Sequence, residues 1–392
     1  MVDRRNFGLE RRRLLQGSAL LGGLNLLGLG GCAMPPRDTV SPLVPVRAEP
    51  ERLFDITVCL RPFRAGGPRI ETEQVGDALV VHNYGHGGSG WSLSWGSSTL
   101  AVQMAMADSP REVAVVGCGA LGLTSALLAQ SAGARVTIYA RDLLPETRSA
   151  RATGSWTPDS RIALADAVPP GFAARWEQMA RVSFKTYRRY LGLPGDPVEW
   201  TDRYFLSDPA QEDAAAPPIP DRLEFAQYID RIRDLTPHAR TLPPGGSPFP
   251  AQTVRRTSSM MFNIADYGHT LMTDFLTVGG KIERREFHTP ADLAQLKEKV
   301  IINCPGYGAR ALWRDETIIP VRGQIGWLIP QRDVNYGLFY RNVSVLARRD
   351  GIVVQAIEGG DMKGYNDDNE TPDRRESESA VKTIAELYAS YA

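Results

Sequence analysis

The chain has 392 residues, with 45 Lys and Arg against 45 Asp and Glu and 43% hydrophobic residues, proportions that suit a globular protein of two domains or more. A formal charge of zero excludes nucleic acid as the main partner, because phosphate binding needs a basic excess. Four cysteines in a chain this long exclude a disulfide scaffold.

Arg4 and Arg5, then Arg11, Arg12 and Arg13, precede a leucine- and glycine-rich run from Leu14 to Leu29. A membrane-spanning helix needs about 20 predominantly apolar residues. This run is shorter and is broken by Gln16, Ser18 and Asn25. Residues 1–31 therefore read as an export signal, and Arg11-Arg12-Arg13-Leu14-Leu15-Gln16 resembles a twin-arginine signal. Leu29-Gly30-Gly31-Cys32 resembles a lipobox. The expectation is a periplasmic, membrane-anchored lipoprotein acylated at Cys32, with a proline-rich tether over residues 32–50.

A strand over Arg52–Leu60 leads into the block Leu60-Arg61-Pro62-Phe63-Arg64, and a glycine-punctuated block follows from Val81 to Gly96. In the second block His82 and His86 have the spacing of metal ligands. The glycines after His86 suggest a loop and no third ligand is in view, so no metal is expected. Gly87, Gly88 and Gly90 are better suited to a close backbone approach, with Ser89, Trp91 and Ser92 beside them.

Glu112–Gly117 reads as a buried parallel strand entering Gly117-Cys118-Gly119-Ala120-Leu121-Gly122, followed by a helix and a second strand at Arg135–Tyr139. Gly117 permits the tight turn, Gly119 lets backbone reach a pyrophosphate, and Gly122 brings helix and strand together. Asp142, with Arg141 before it, stands where a carboxylate can hold a ribose hydroxyl. This order of strand, glycines, helix, strand and acid points to a dinucleotide. Further on, Ile264–Thr277 reads as a helix, Lys281–Phe287 as a strand, Thr289-Pro290 as a helix start and Val300–Asn303 as a strand. A last helix is expected over Glu376–Tyr388.

These blocks, together with Thr153-Gly154-Ser155-Trp156, Asn303-Cys304-Pro305-Gly306 and Val321-Arg322-Gly323-Gln324, resemble the D-amino-acid oxidase family of FAD-dependent flavoproteins. The resemblance implies an α/β fold with a Rossmann-like FAD-binding domain and a mixed-sheet substrate domain. On that pattern residues 52–70, 168–250 and 316–392 belong to the substrate domain, and residues 78–167 and 251–315 to the FAD-binding domain. In the family the glycine-rich loop opens the chain and the arginine and histidine-glycine blocks close it. Here those closing blocks come first, which reads as a circular permutation and places Ala392 near residues 50 to 55.

The resemblance also implies roles. FAD would be held by Gly117, Gly119, Ala120, Leu121, Gly122, Arg141 and Asp142, by Thr153, Gly154, Ser155 and Trp156, by Gly87, Gly88, Ser89, Gly90, Trp91 and Ser92, and by Gly306. Arg61 would bind the substrate carboxylate through paired charge-assisted hydrogen bonds, with Tyr336 and Tyr340 framing the same pocket. The family's glycine pair after the tyrosine strand is absent before Gly359-Gly360. The implied reaction oxidises a D-amino acid to a 2-oxo acid, with ammonia released and oxygen reduced to hydrogen peroxide. Two alternatives stay open: a tethered dehydrogenase passing electrons to a quinone or redox partner, and a non-catalytic flavin-fold lipoprotein.

Overall fold

The computed structural model describes residues 43–207, 223–243, 245–249, 251 and 253–389. The expected export signal, Cys32, most of the expected tether and Ala392 lie outside these residues.

Two sheets organise the described chain. The first has six strands: β2 (Thr72–Val75), β3 (Ala78–His82), β4 (Glu112–Val116), β5 (Arg135–Ala140), β9 (Lys281–Arg284) and β10 (Val300–Asn303). Their spatial order is β2-β3-β10-β4-β5-β9. All neighbours run parallel except β2, which pairs antiparallel with β3. The apolar, β-branched run Val113–Val116 is buried, as a parallel strand covered on both faces requires. Helix α1 (Gly90–Ala105) follows β3 and helix α2 (Ala120–Ser131) follows β4. Helix α3 (Phe172–Tyr187) packs on α1, and α4 (Ile264–Thr277) packs on α2. Ile264, Tyr267, Leu271 and Phe275 form the buried stripe of α4, at the spacing of a helix with one apolar face. The expected helix start at Thr289 is a capping box, in which Asp292 accepts from the Thr289 backbone N–H at 2.9 Å. The strand expected to reach Phe287 stops at Arg284.

The second sheet has eight strands: β1 (Leu53–Arg64), β6 (Val198–Ser207), β7 (Arg240–Thr241), β8 (Thr253–Phe262), β11 (Ile318–Leu328), β12 (Tyr336–Tyr340), β13 (Val343–Arg348) and β14 (Gly351–Ala356). They lie in the order β1-β11-β14-β13-β12-β6-β8-β7. Strands β6 and β8 and helix α3 come from the stretch 168–250 and its border, where the sequence patterning shows no clear period. The last described helix, Arg374–Ala389, lays Ala380, Val381, Ile384 and Leu387 into one apolar cluster with Val46, Ala48 and Leu53. The two ends of the described chain therefore share a core.

Candidate active site

A cavity of about 540 Å³ opens where the carboxyl ends of β3, β4 and β10 meet one face of the eight-stranded sheet, the usual place for a ligand in an open α/β sheet. On the parallel-sheet side it is lined by Gly119, Ala120 and Leu121 at the start of α2, by Gly306 after β10, and by Gly87, Gly88, Gly90, Trp91 and Ser92 around the start of α1. The turn is tight. Gly117 has a φ of 97° and packs on the Cys304 carbonyl, while a side chain at Gly122 would collide with the Gly117 carbonyl. No side chain caps α2 from its own N-cap residue. Instead the Ala120 N–H donates to the Ser149 hydroxyl at 3.1 Å, so an oxygen acceptor already stands at the helix start. A phosphate oxygen suits the same position, and these residues fit a dinucleotide.

The other wall is built by strand register. Phe339 pairs with Ser344 across β12 and β13, Ser344 pairs with Gln355 across β13 and β14, and all three line the cavity. Thr153, Gly154 and Ser155 line it as well, and Thr153 donates to the Gln355 side chain at 3.3 Å.

The cavity is cationic. Arg61, Arg148, Arg151, Arg161 and Arg203 line it, against Asp361 as the lining acid. Arg61 projects from β1 beside Gly323, where any side chain would collide with the guanidinium. Its Nη1 donates to the Arg322 carbonyl at 3.2 Å, and among the described residues it has no carboxylate partner. Burial holds its pKa below the usual arginine value, with Cys59 and Asp361 opposing that effect; a guanidinium stays protonated at neutral pH. Arg161 donates to the carbonyls of Asp361 at 2.8 Å and Gly360 at 2.9 Å and approaches the Asp361 carboxylate at 3.6 Å. Burial, and then repulsion from Arg61, push it down to about 10. Such a field attracts an anionic ligand.

Several expected residues lie elsewhere. Gly117 and Gly122 shape the turn from behind the lining. Ser89 turns its hydroxyl to the Ser160 carbonyl at 3.0 Å. Trp156 packs edge-on against Phe184 with ring centroids 5.2 Å apart, in the core. Arg141 and Asp142 hydrogen-bond to one another at 2.8 and 3.0 Å, outside the cavity lining. The larger correction concerns the tyrosines. Side chains alternate along a strand, so Tyr336, Leu338 and Tyr340 share the face of β12 opposite Phe339 and join the apolar cluster beneath the last helix. The Tyr336 hydroxyl donates to the Val44 carbonyl at 2.8 Å and lies 2.6 Å from the Tyr388 hydroxyl. Neither tyrosine lines the cavity.

The histidines of the second block are structural neighbours of the site. His82 lies 3.1 Å from both the Asn303 side chain and Glu73, and burial, with Arg69 next, lowers its pKa to about 4. His86 lines the cavity and lies 2.7 Å from the Ser97 hydroxyl, and burial lowers it to about 3. Both are neutral at pH 7.

Sequence reasoning missed Arg161, Arg203, Phe339, Ser344 and Gln355. The alternation of β12 could have found Phe339, since a strand cannot turn Tyr336 and Phe339 to one side. Nothing local marks the others, which meet only through the order of the strands.

The family profile described as DAO, FAD dependent oxidoreductase, matches residues 112–391. A D-amino-acid oxidase of Dictyostelium discoideum is 27% identical over 283 residues, 71% of this chain and 73% of that protein. A D-amino-acid oxidase of Rubrobacter xylanophilus is 28% identical over 220 residues, 54% of this chain and 57% of that protein. Among solved structures, glycine oxidase from Bacillus cereus ATCC 14579 superposes with a TM-score of 0.47 at 14% identity, over 72% of this chain and 79% of that one.

Proposed function

The chain belongs to the DAO family of FAD-dependent oxidoreductases, and from that premise we propose that it oxidatively deaminates D-amino acids to 2-oxo acids, with oxygen as electron acceptor. The observation that carries the reading is Arg61. It is a half-buried guanidinium without an acidic partner among the described residues, lining a cavity that begins at the glycine turn. The D configuration is supported by the activities named for the relatives.

FAD, when bound, supplies the hydride acceptor and hands the electrons on. Gly119, Ala120 and Leu121 would hold its phosphates with backbone N–H groups, and the Thr153–Ser155 and Gly87–Ser92 segments would lie against its ring. Arg61 binds the substrate carboxylate with two parallel hydrogen bonds, which fixes rotation about the Cα–carboxylate bond and so aims the α-hydrogen. The contact with Gly323 holds that guanidinium in place. Arg161 adds positive field while its own donors are taken by backbone carbonyls. Phe339 and Trp91 shield the reacting carbon from water.

The test is an anaerobic mixing experiment. Purified protein with bound FAD is mixed with D- and L-amino acids while flavin absorbance is followed. Bleaching by a subset of D-isomers, with recovery and peroxide on admitting air, is the expected result. Flavin that no D-isomer bleaches overturns the reading. Bleaching that recovers with a quinone but not with air moves the enzyme to the dehydrogenase alternative.

Two further proposals rest on the sequence. Residues 1–31 act as a twin-arginine export signal and Cys32 is acylated, anchoring the enzyme on the periplasmic side. A Cys32→Ala variant should then leave the membrane fraction. The chain is also a circular permutation of the family order, a reading supported by the core shared between Val46–Leu53 and the last helix. Relocating residues 43–110 behind the last helix should yield a protein that still binds FAD.

A further inference from the structure

Arg203 is a buried cation of the cavity that no acid answers among the described residues. It projects from the middle of β6, opposite Gly337 of β12, which has no side chain to cover it. The residue is 7% exposed and lines the cavity. Its Nη2 donates to the Ser155 hydroxyl at 2.7 Å, while Nε is buried with no partner. Among the described residues no carboxylate pairs with it. This sets it apart from Arg148, which pairs with Glu370 at 2.5 Å, from Arg161, which approaches Asp361, and from Arg348, which pairs with Asp350; Arg151 also lacks an acid but is only half-buried and donates to the Val58 carbonyl at 3.1 Å. Burial alone pulls its pKa down to about 10, with no nearby charge opposing that shift, and at neutral pH it remains cationic.

A buried charge without a partner is costly, and proteins keep one where a ligand supplies the counter-charge. A substrate with a single carboxylate satisfies Arg61 and leaves Arg203 unanswered. A substrate with two acid groups answers both.

We propose that Arg203 is a specificity residue that binds a side-chain carboxylate, so that the substrates of this site are D-amino acids with acidic side chains. The proposal rests on the reading of the cavity as a D-amino-acid site. Charged hydrogen bonds to a buried guanidinium separate an acid from its amide isostere strongly, because the amide brings no charge and turns two donors toward a donor.

The experiment uses the FAD-bound full chain and measures kcat/KM for D-glutamate and D-aspartate against D-glutamine and D-asparagine, in wild type and in Arg203→Met and Arg203→Lys. Wild type is expected to prefer the acids by about a hundredfold or more. Arg203→Met should raise KM for the acids by a similar factor and bring the acid-to-amide ratio towards one. Arg203→Lys should restore part of that ratio, because it returns the charge without the planar fork. An amide-preferring wild type overturns the proposal while leaving D-amino-acid oxidation intact. Loss of bound FAD in Arg203→Met, with the melting temperature preserved, overturns it in favour of a cofactor contact. If no D-amino acid of any kind bleaches the flavin, the broader reading fails, and this one with it.

Discussion

The two walls of the cavity are made in opposite ways. The wall from the six-stranded sheet is local: one turn between β4 and α2, and one between β3 and α1, present backbone groups to the ligand. The wall from the eight-stranded sheet is assembled from side chains on β1, β6, β12, β13 and β14, which span Cys59 to Gln355 in sequence. Backbone recognition needs glycines at fixed spacing and leaves a motif. Side-chain recognition needs only that strands arrive in the right order and register, and it leaves no motif. Under the proposed function the difference separates cofactor binding from substrate choice, and each wall can be broken without the other.

The largest effect is expected in the first wall. Gly122→Val forces a side chain into the Gly117 carbonyl, which separates α2 from β4 and spoils the approach to phosphate. The purified variant should carry no flavin, read from its visible absorbance, and added FAD should not restore activity. A yellow Gly122→Val protein would show that the turn does not hold the cofactor.

In the second wall, Arg61→Leu should keep FAD and lose substrate. Removing one partner of a buried, hydrogen-bonded charge pair costs about 2–5 kcal/mol, so KM should rise by roughly thirtyfold to a few thousandfold. Gly323→Ala tests the same point indirectly. The new methyl group meets the Arg61 guanidinium, and KM should rise by a smaller factor with FAD retained. Normal affinity in both variants would remove Arg61 from the substrate site.

How much of this was legible follows the same division. The strand at Glu112, the helix after Gly119, the strand at Arg135 and the helix at Ile264 were readable, because their apolar periods and glycine punctuation are continuous in sequence. Arg61 was readable only through the block around it. The tyrosines were placed by spacing alone, and spacing on a strand decides which residues share a face without saying which face meets the cavity. Arg203 was not readable: within Glu199-Trp200-Thr201-Asp202-Arg203-Tyr204 it looks like one charged residue on a solvated strand. Its burial comes from pairing with β12 and β8, partners more than fifty residues away.

The histidine pair gives an intermediate effect and a definite sign. Burial holds His86 at about 3 and, with Arg69, holds His82 at about 4, whereas an unfolded histidine titrates near about 6.5. Both native values are depressed, so the stability they contribute is complete above about 6.5 and is lost as pH falls towards 4 and then 3. Each neutral histidine removes about 1.4 kcal/mol per pH unit in that window. Urea midpoints of the FAD-saturated protein should fall between pH 7 and pH 4.5, and His86→Asn should fall less steeply. Equal slopes would mean that His86 takes up a proton while folded.

The smallest effect is the sharpest test of the face assignment. Tyr336 opens β12, three residues before Phe339, which lines the cavity, yet its hydroxyl bonds to Val44 and Tyr388 on the far face. Tyr336→Phe removes those hydrogen bonds and keeps the ring that packs on Tyr204 and Phe249. The expected cost is about 1 kcal/mol of stability, seen as a modest fall in melting temperature, with kcat and KM for a D-amino acid within about twofold of wild type. Phe339→Ala is the counterpart: it opens the cavity wall and should change KM more than Tyr336→Phe does. Were Tyr336→Phe to raise KM tenfold while leaving the melting temperature alone, the register of β12 against β6 and β13 would have to shift by one residue. Phe339 would then leave the cavity while Ser344 and Gln355, paired with each other across β13 and β14, would stay, because a one-residue slip exchanges the two faces of the slipped strand.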